Sequence, residues 1–134
     1  MRRMRVFAAF AIAGAAILAA SCGGINDPSK NTDEAFSGTL QVGGQNRHQF
    51  NSSKTGEISV KLTALAPTSN AALLLQVTQT ANDGTCVGLL QQAFATLNVP
   101  AIAVPVSSQR YCIIVSDLGQ ISVPQTYTIN VSHP

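Results

Sequence analysis

The sequence contains no tryptophan, two tyrosines and two histidines among 134 residues. Sugar recognition stacks a ring on an exposed aromatic face, so a chain this poor in such faces is badly equipped for glycans. Charge is scarce as well: Asp, Glu, Lys and Arg together make up 10% of the residues. Three of the eight basic residues, Arg2, Arg3 and Arg5, crowd the start, and the other five stand against six acidic residues, which leaves the remainder near −1. No basic surface exists to neutralise a run of phosphates, so nucleic acid is excluded as a partner. Hydrolytic chemistry needs a nucleophile, a base and an orienting group that converge. The chain offers only His48 and His133 as imidazoles, and neither a Gly-x-Ser-x-Gly elbow nor a His-Glu-x-x-His helix occurs. His48 shares an alternating stretch with Phe50 and reads as a packing residue, while His133 sits in a tail expected to fray. No enzyme activity, catalytic residue, cofactor or metal ligand is therefore assigned. Asp83, in Asn82-Asp83-Gly84, and Asp117 are isolated acids. They read as turn formers that bond their own backbone, since calcium asks for about six to eight oxygens.

Long apolar runs are also missing, with one exception. Val6 to Ala20 is apolar over roughly 15 residues, short of the ~20 that a helix needs to cross a bilayer. Behind the basic start, and ahead of small residues, this is the layout of an export signal. The small residues run straight into a cysteine, and Leu18-Ala19-Ala20-Ser21-Cys22 resembles the lipobox of bacterial lipoproteins. The resemblance implies cleavage after Ser21, a diacylglyceryl group on the Cys22 sulfur, and a membrane as the first partner. Acyl chains at ~0.8 kcal/mol per buried CH₂ make a firm anchor when two or three are present. In proteobacterial members an Asp after the cysteine favours the inner membrane. Here that position is Gly23, so the resemblance implies the outer membrane. In this reading residues 1–21 are a signal peptide. Residues 22–34, rich in Gly, Asn, Asp, Ser and Pro, are a flexible tether. An exported chain meets an oxidising compartment, where the remaining pair, Cys86 and Cys112, is expected to form a disulfide; two buried free thiols are the alternative.

From residue 35 to 134 the pattern turns to short alternating runs separated by turn residues, the mark of an all-β sandwich. Gly43-Gly44-Gln45-Asn46 fits a hairpin between the first two runs. In Glu57 to Leu65 the residues Ile58, Val60 and Leu62 share a face; Leu73, Leu75 and Val77 do so in the next run. Asn82-Asp83-Gly84 is a tight turn. The stretch after Cys86 is ambiguous: Val87, Leu89 and Leu90 suggest a strand, whereas Gln91 to Leu97 fits either a helical turn or an irregular strand. Pro100 and Pro105 confine any strand between them to a sheet edge. Arg110 to Ser116 is apolar on both faces and reads as central, and Tyr127, Ile129 and Val131 point inward in the last strand. The expected fold is a small antiparallel β-sandwich of seven to eight strands, jelly-roll or immunoglobulin-like.

The order of motifs resembles the pre-peptidase C-terminal domain, a β-sandwich appended to secreted bacterial proteases. The matching pieces are Phe36-Ser37-Gly38-Thr39-Leu40, the alternating Asn46, His48 and Phe50, Gly56 to Leu62, Tyr111 to Ser116, and Tyr127-Thr128-Ile129-Asn130-Val131. The resemblance implies a non-catalytic, lipid-anchored module of the cell envelope that contacts or supports an exported protein; a glycan-binding surface module is the alternative. Leu74, Ile114 and Leu118, apolar at nominally exposed positions, form the expected contact patch.

Overall fold

The computed structural model describes residues 28–134. The expected signal peptide, the lipid-bearing Cys22 and the first part of the tether lie outside the described residues. After a 3-10 turn at Pro28–Lys30 come eight strands. They are β1 (Thr32–Leu40), β2 (Gln45–Ser52), β3 (Gly56–Ala66), β4 (Leu73–Thr80), β5 (Cys86–Ala95), β6 (Pro100–Val106), β7 (Gln109–Ser116) and β8 (Gln125–His133). They form two four-stranded antiparallel sheets in the orders β1-β8-β3-β6 and β2-β7-β4-β5. This is the jelly-roll of the two expected arrangements, a double-sheet solution with successive strands alternating between layers except for the β4–β5 hairpin. Among the described residues no helix is long and apolar enough to cross a membrane.

Period-two alternation builds the core, because every second side chain of a strand faces the opposite sheet. Ile58, Val60 and Leu62 from β3, Leu73, Leu75 and Val77 from β4, Tyr111, Ile113 and Val115 from β7, and Tyr127, Ile129 and Val131 from β8 are all buried. The Tyr111 hydroxyl is buried with its bonds satisfied: it donates to the Ser107 carbonyl and accepts from the Ser107 amide and the Gln109 side chain. β7 lies inside its sheet and the proline-bearing β6 lies at an edge, both as their sequences require.

Three expectations change, and one open alternative is decided. The tether ends sooner than residue 34, because Thr32, Asp33 and Glu34 already pair with His133, Ser132 and Val131. The turn at 41–44 is not a hairpin: β1 pairs with β8 and β2 with β7, so this turn arches from one sheet to the other. Gln91 to Ala95 continues β5 as a strand, although the register slips twice against β4 between Val77 and Gln79. Leu90 and Gly88, the latter at φ 64°, are the extra residues at these slips. Finally, the end of β8 does not fray. His133 is 4% exposed, and the Pro134 main-chain oxygen accepts from Ser53 N and Ser52 Oγ.

Candidate functional site

Strand directions give the sandwich two unlike ends. At one end residues 28–31 enter β1, beside the 53–55, 81–85 and 107–108 connections, and Lys30, Lys54 and Asp83 are exposed there. At the other end lie 41–44, 67–72, 96–99 and 117–124, with one charged residue among them, Asp117. Nine residues of β1 separate the two ends by roughly 30 Å at ~3.3 Å per residue.

Asp117 is 3% exposed and organises the far end. Its Oδ2 accepts the Gly43 amide at 2.8 Å, and its Oδ1 accepts those of Gly119, Gln120 and Ile121 at 3.0, 2.7 and 3.1 Å. Its own amide donates to the Gly44 carbonyl. The Gly43 amide, joined by those of Gln120, Ile121 and Gly119, holds the carboxyl below the usual carboxylate range against the opposing effect of burial. A second clamp sits alongside: the buried Gln125 side chain accepts from Thr68 N and donates to Thr68 Oγ1 and to the Val123 carbonyl. On the loops these bonds fix at this end, Leu118 is 62% exposed, Val42 52% and Val123 43%. Ile121, from the same loop, is buried beneath. Three aliphatic tips therefore stand on fixed loops with no exposed charge among them.

Of the three expected contact residues, only Leu118 is there. Leu74 is 8% exposed, because β4 is an interior strand and Leu74 lies in register between Phe94 and Ser116. Ile114 is half-buried on β7 opposite Arg47 and Gln76. Val42 and Val123 were readable as apolar residues inside turn-forming stretches, Gln41-Val42-Gly43-Gly44 and Ser122-Val123-Pro124. What brings Val42 to the same end as Leu118 is pairing between distant segments, including the bond from Gly43 to Asp117.

The histidines sit in a second cluster, between the sheets along the β1 and β2 edge. His48 stacks on Phe36 with ring centroids 5.2 Å apart, and its Nε2 shares a 2.7 Å hydrogen bond with the Tyr127 hydroxyl. Burial pushes the His48 imidazole below its usual range and the Tyr127 phenol above its own. His133 Nε2 donates to Glu34 Oε1 at 2.8 Å and its ring lies 4.9 Å from Phe50. Both imidazoles are thus engaged in packing contacts, as the alternation with Phe50 implied for His48. Gly38 makes room for this cluster: a Cβ there would lie 2.9 Å from the Tyr127 hydroxyl and 3.2 Å from the Asn46 side-chain nitrogen. Gly38→Ala is expected to cost about 1–3 kcal/mol in urea unfolding, as overpacking does. Ser37→Ala, which gives up only an exposed hydrogen bond to Thr128 Oγ1, serves as the milder comparison.

The disulfide is present between Cys86 and Cys112, with Cα atoms 5.7 Å apart. It joins β5 to β7 across the intervening β4, close to the Thr78 and Thr80 hydroxyls, which have no hydrogen-bond partner. The hairpin turn beside it reaches over the sheet, where the Gln49 side chain donates to the Gly84 carbonyl at 2.5 Å. Asp83 accepts from Thr85 N and Oγ1, and Asp117 binds backbone amides, so both carboxylates act as turn formers. Among the described residues no three of His, Cys, Asp and Glu gather as metal ligands would. The outer face of the β1-β8-β3 sheet carries a shallow depression of about 370 Å³ lined by small residues such as Gly38, Ala64, Ala66 and Thr126.

No protein-family model matches the chain, and no curated protein matches it in sequence. Among solved structures, the crystal structure of the Yersinia pseudotuberculosis-derived mitogen is similar at a TM-score of 0.59. The likeness covers 78% of this chain and 87% of that one, at 14% identity. A protein from Sulfurospirillum deleyianum is similar over 72% of this chain and 96% of its own, with 8% identity and a TM-score of 0.43. At 14% identity the first likeness is one of fold, two antiparallel sheets packed as a sandwich, and a fold does not carry a function with it.

Proposed function

We propose that this chain is a non-catalytic module of the cell envelope, anchored by lipid on Cys22 and most at home in the outer membrane, that contacts another envelope protein. The observation that carries the reading is the far end of the sandwich, where Val42, Leu118 and Val123 are exposed on loops clamped by Asp117 and Gln125. Apolar tips held in place, with the one neighbouring charge buried, suit a partner's apolar surface. Their placement supports the anchored reading too. The chain enters β1 at the polar end, so a tether there would present the aliphatic tips away from the membrane. The resemblance to pre-peptidase C-terminal domains fits the same role, that of a β-sandwich accessory to an exported protein. A non-catalytic reading accords with the use of both imidazoles in packing. Aromatic supply still disfavours glycans, because Tyr111 and Tyr127 are 1% and 2% exposed.

Two measurements test this. Intact mass of the protein extracted from membranes should give a chain starting at Cys22 with diacylglycerol attached, and Cys22→Ser should move the protein to the soluble fraction. Crosslinking in intact cells should give a defined adduct that Leu118→Asp abolishes while Ile114→Asp retains it. An unmodified chain beginning at Met1 and recovered from the cytosol would contradict the anchor, and adducts indifferent to Leu118 would contradict the contact surface.

A further inference from the structure

The four sheet edges of the sandwich are guarded unequally. β1 carries Asp33 and Glu34, β2 carries Arg47, and β6 carries Pro100 and Pro105, all devices that discourage a further strand from pairing. β5 carries no charged residue and no proline, and exposes Val87, Leu89, Leu90 and Phe94. Its first half is spoiled as a template by the extra residues Gly88 and Leu90. Its second half, Gln91 to Ala95, keeps a regular register against Val77, Gln76, Leu75, Leu74 and Leu73. Among the described residues no strand pairs with the other side of this segment.

We propose that a second copy of this chain docks here, its β5 pairing antiparallel with the first across the segment Gln91 to Ala95, centred on Ala93. A copy is the occupant that the charges favour. Residues 28–134 hold five basic and five acidic side chains, a net charge of zero, so two copies approach without repulsion. The charged strands β1 and β2 lie at the opposite side of each sandwich and stay clear of the joint. Centring on Ala93 sets the exposed Phe94 of each copy beside Gln92 of the other on the outer face, an apolar-polar pair with no like charges opposed. The two β2-β7-β4-β5 sheets then become one sheet of twice the width. The inference is independent of the contact surface at the far end.

Sedimentation velocity of the full chain in detergent, over a wide concentration range, tests it together with amide hydrogen exchange. The expected result is a monomer–dimer equilibrium in which amides 91–95 gain protection as the dimer forms. Phe94→Lys, at a position 53% exposed, should raise the dissociation constant by about tenfold or more through charge at the joint, with the thermal midpoint unchanged at dilutions where both proteins are monomeric. A monomer at every concentration would overturn the proposal. So would a dimer that Phe94→Lys leaves intact, or protection of 91–95 in the monomer that disappears once residues 1–27 are removed, which would assign the edge to the chain's own N-terminal segment.

Discussion

Replacing Cys86 and Cys112 together by alanine is expected to lower the unfolding free energy by about 3.5 kcal/mol. The pair closes a loop with a sequence separation of 26, and the chain-entropy account gives that figure for the freedom returned to the unfolded chain. Cys112 is fully buried, so the lost sulfur adds a smaller packing term in the same direction. For a domain of this size the sum is a large share of total stability. The loss has a place as well as a size. β5 is held to the sheet by β4 on one side only, and its first half is interrupted at Gly88 and Leu90. Amides from 86 to 90 are thus expected to lose hydrogen-exchange protection first, with β3, β7 and β8 following only at global unfolding. A double variant within about 1 kcal/mol of the parent in chemical denaturation, well below the loop-closure figure, would show that the bridge contributes little.

Asp117→Ala is the other large expected effect, at about 2–4 kcal/mol. It strips four amides of one acceptor; the Ile121 bond is buried and the Gly43, Gly119 and Gln120 bonds are partly so, which limits how far water replaces them. Asp117→Asn keeps one accepting oxygen and should lose roughly half as much. The pH dependence follows from the direction of the shift. The folded-state carboxyl lies below its unfolded value near 4, so the folded protein releases this proton more readily. Its contribution is fully present above the unfolded value and is lost as pH falls through the folded one. Thermal midpoints measured from pH 7 down to pH 2 should fall less steeply in Asp117→Asn than in the parent. Asp117→Ala should also weaken partner crosslinking through Leu118 and Val42, although neither residue is altered, because the clamp that holds their loops is gone.

Much of this architecture is readable along the chain, and the reason is local. Where burial follows strict alternation, as in Ile58, Val60 and Leu62 or in Tyr127, Ile129 and Val131, the sequence states the inward face of a strand directly. Turn chemistry at Asn82-Asp83-Gly84 marks a true hairpin, and the prolines of β6 mark an edge. What fails to show is whatever depends on partners far along the chain. Gly43 and Gly44 look like hairpin residues whether the strands they join pair with each other or with opposite sheets. The extra residues Gly88 and Leu90 break the period of two, so Gln91 to Leu97 resembles a helical turn as much as a strand. Leu74 looks exposed by parity, yet an interior strand has neighbours on both sides to cover it. Asp117 declares itself a turn former, whereas its bond to Gly43, 74 positions away, leaves no local trace. The far-end surface is legible only as one residue, Leu118, because Val42 joins it through that bond.

The position of β8 bears on when this protein acquires its shape. β8 is flanked by β1, the first of the described strands, and by β3, so one of the two sheets has no interior until residues 125–133 exist. Nascent chain emerging from the ribosome therefore holds a gap where its middle strand belongs and has little to collapse onto, since nearly all of its pairings join distant segments. In the exported protein proposed above, delayed maturation of this kind would leave the polypeptide extended long enough to thread a translocation channel, with strand closure deferred to the far side.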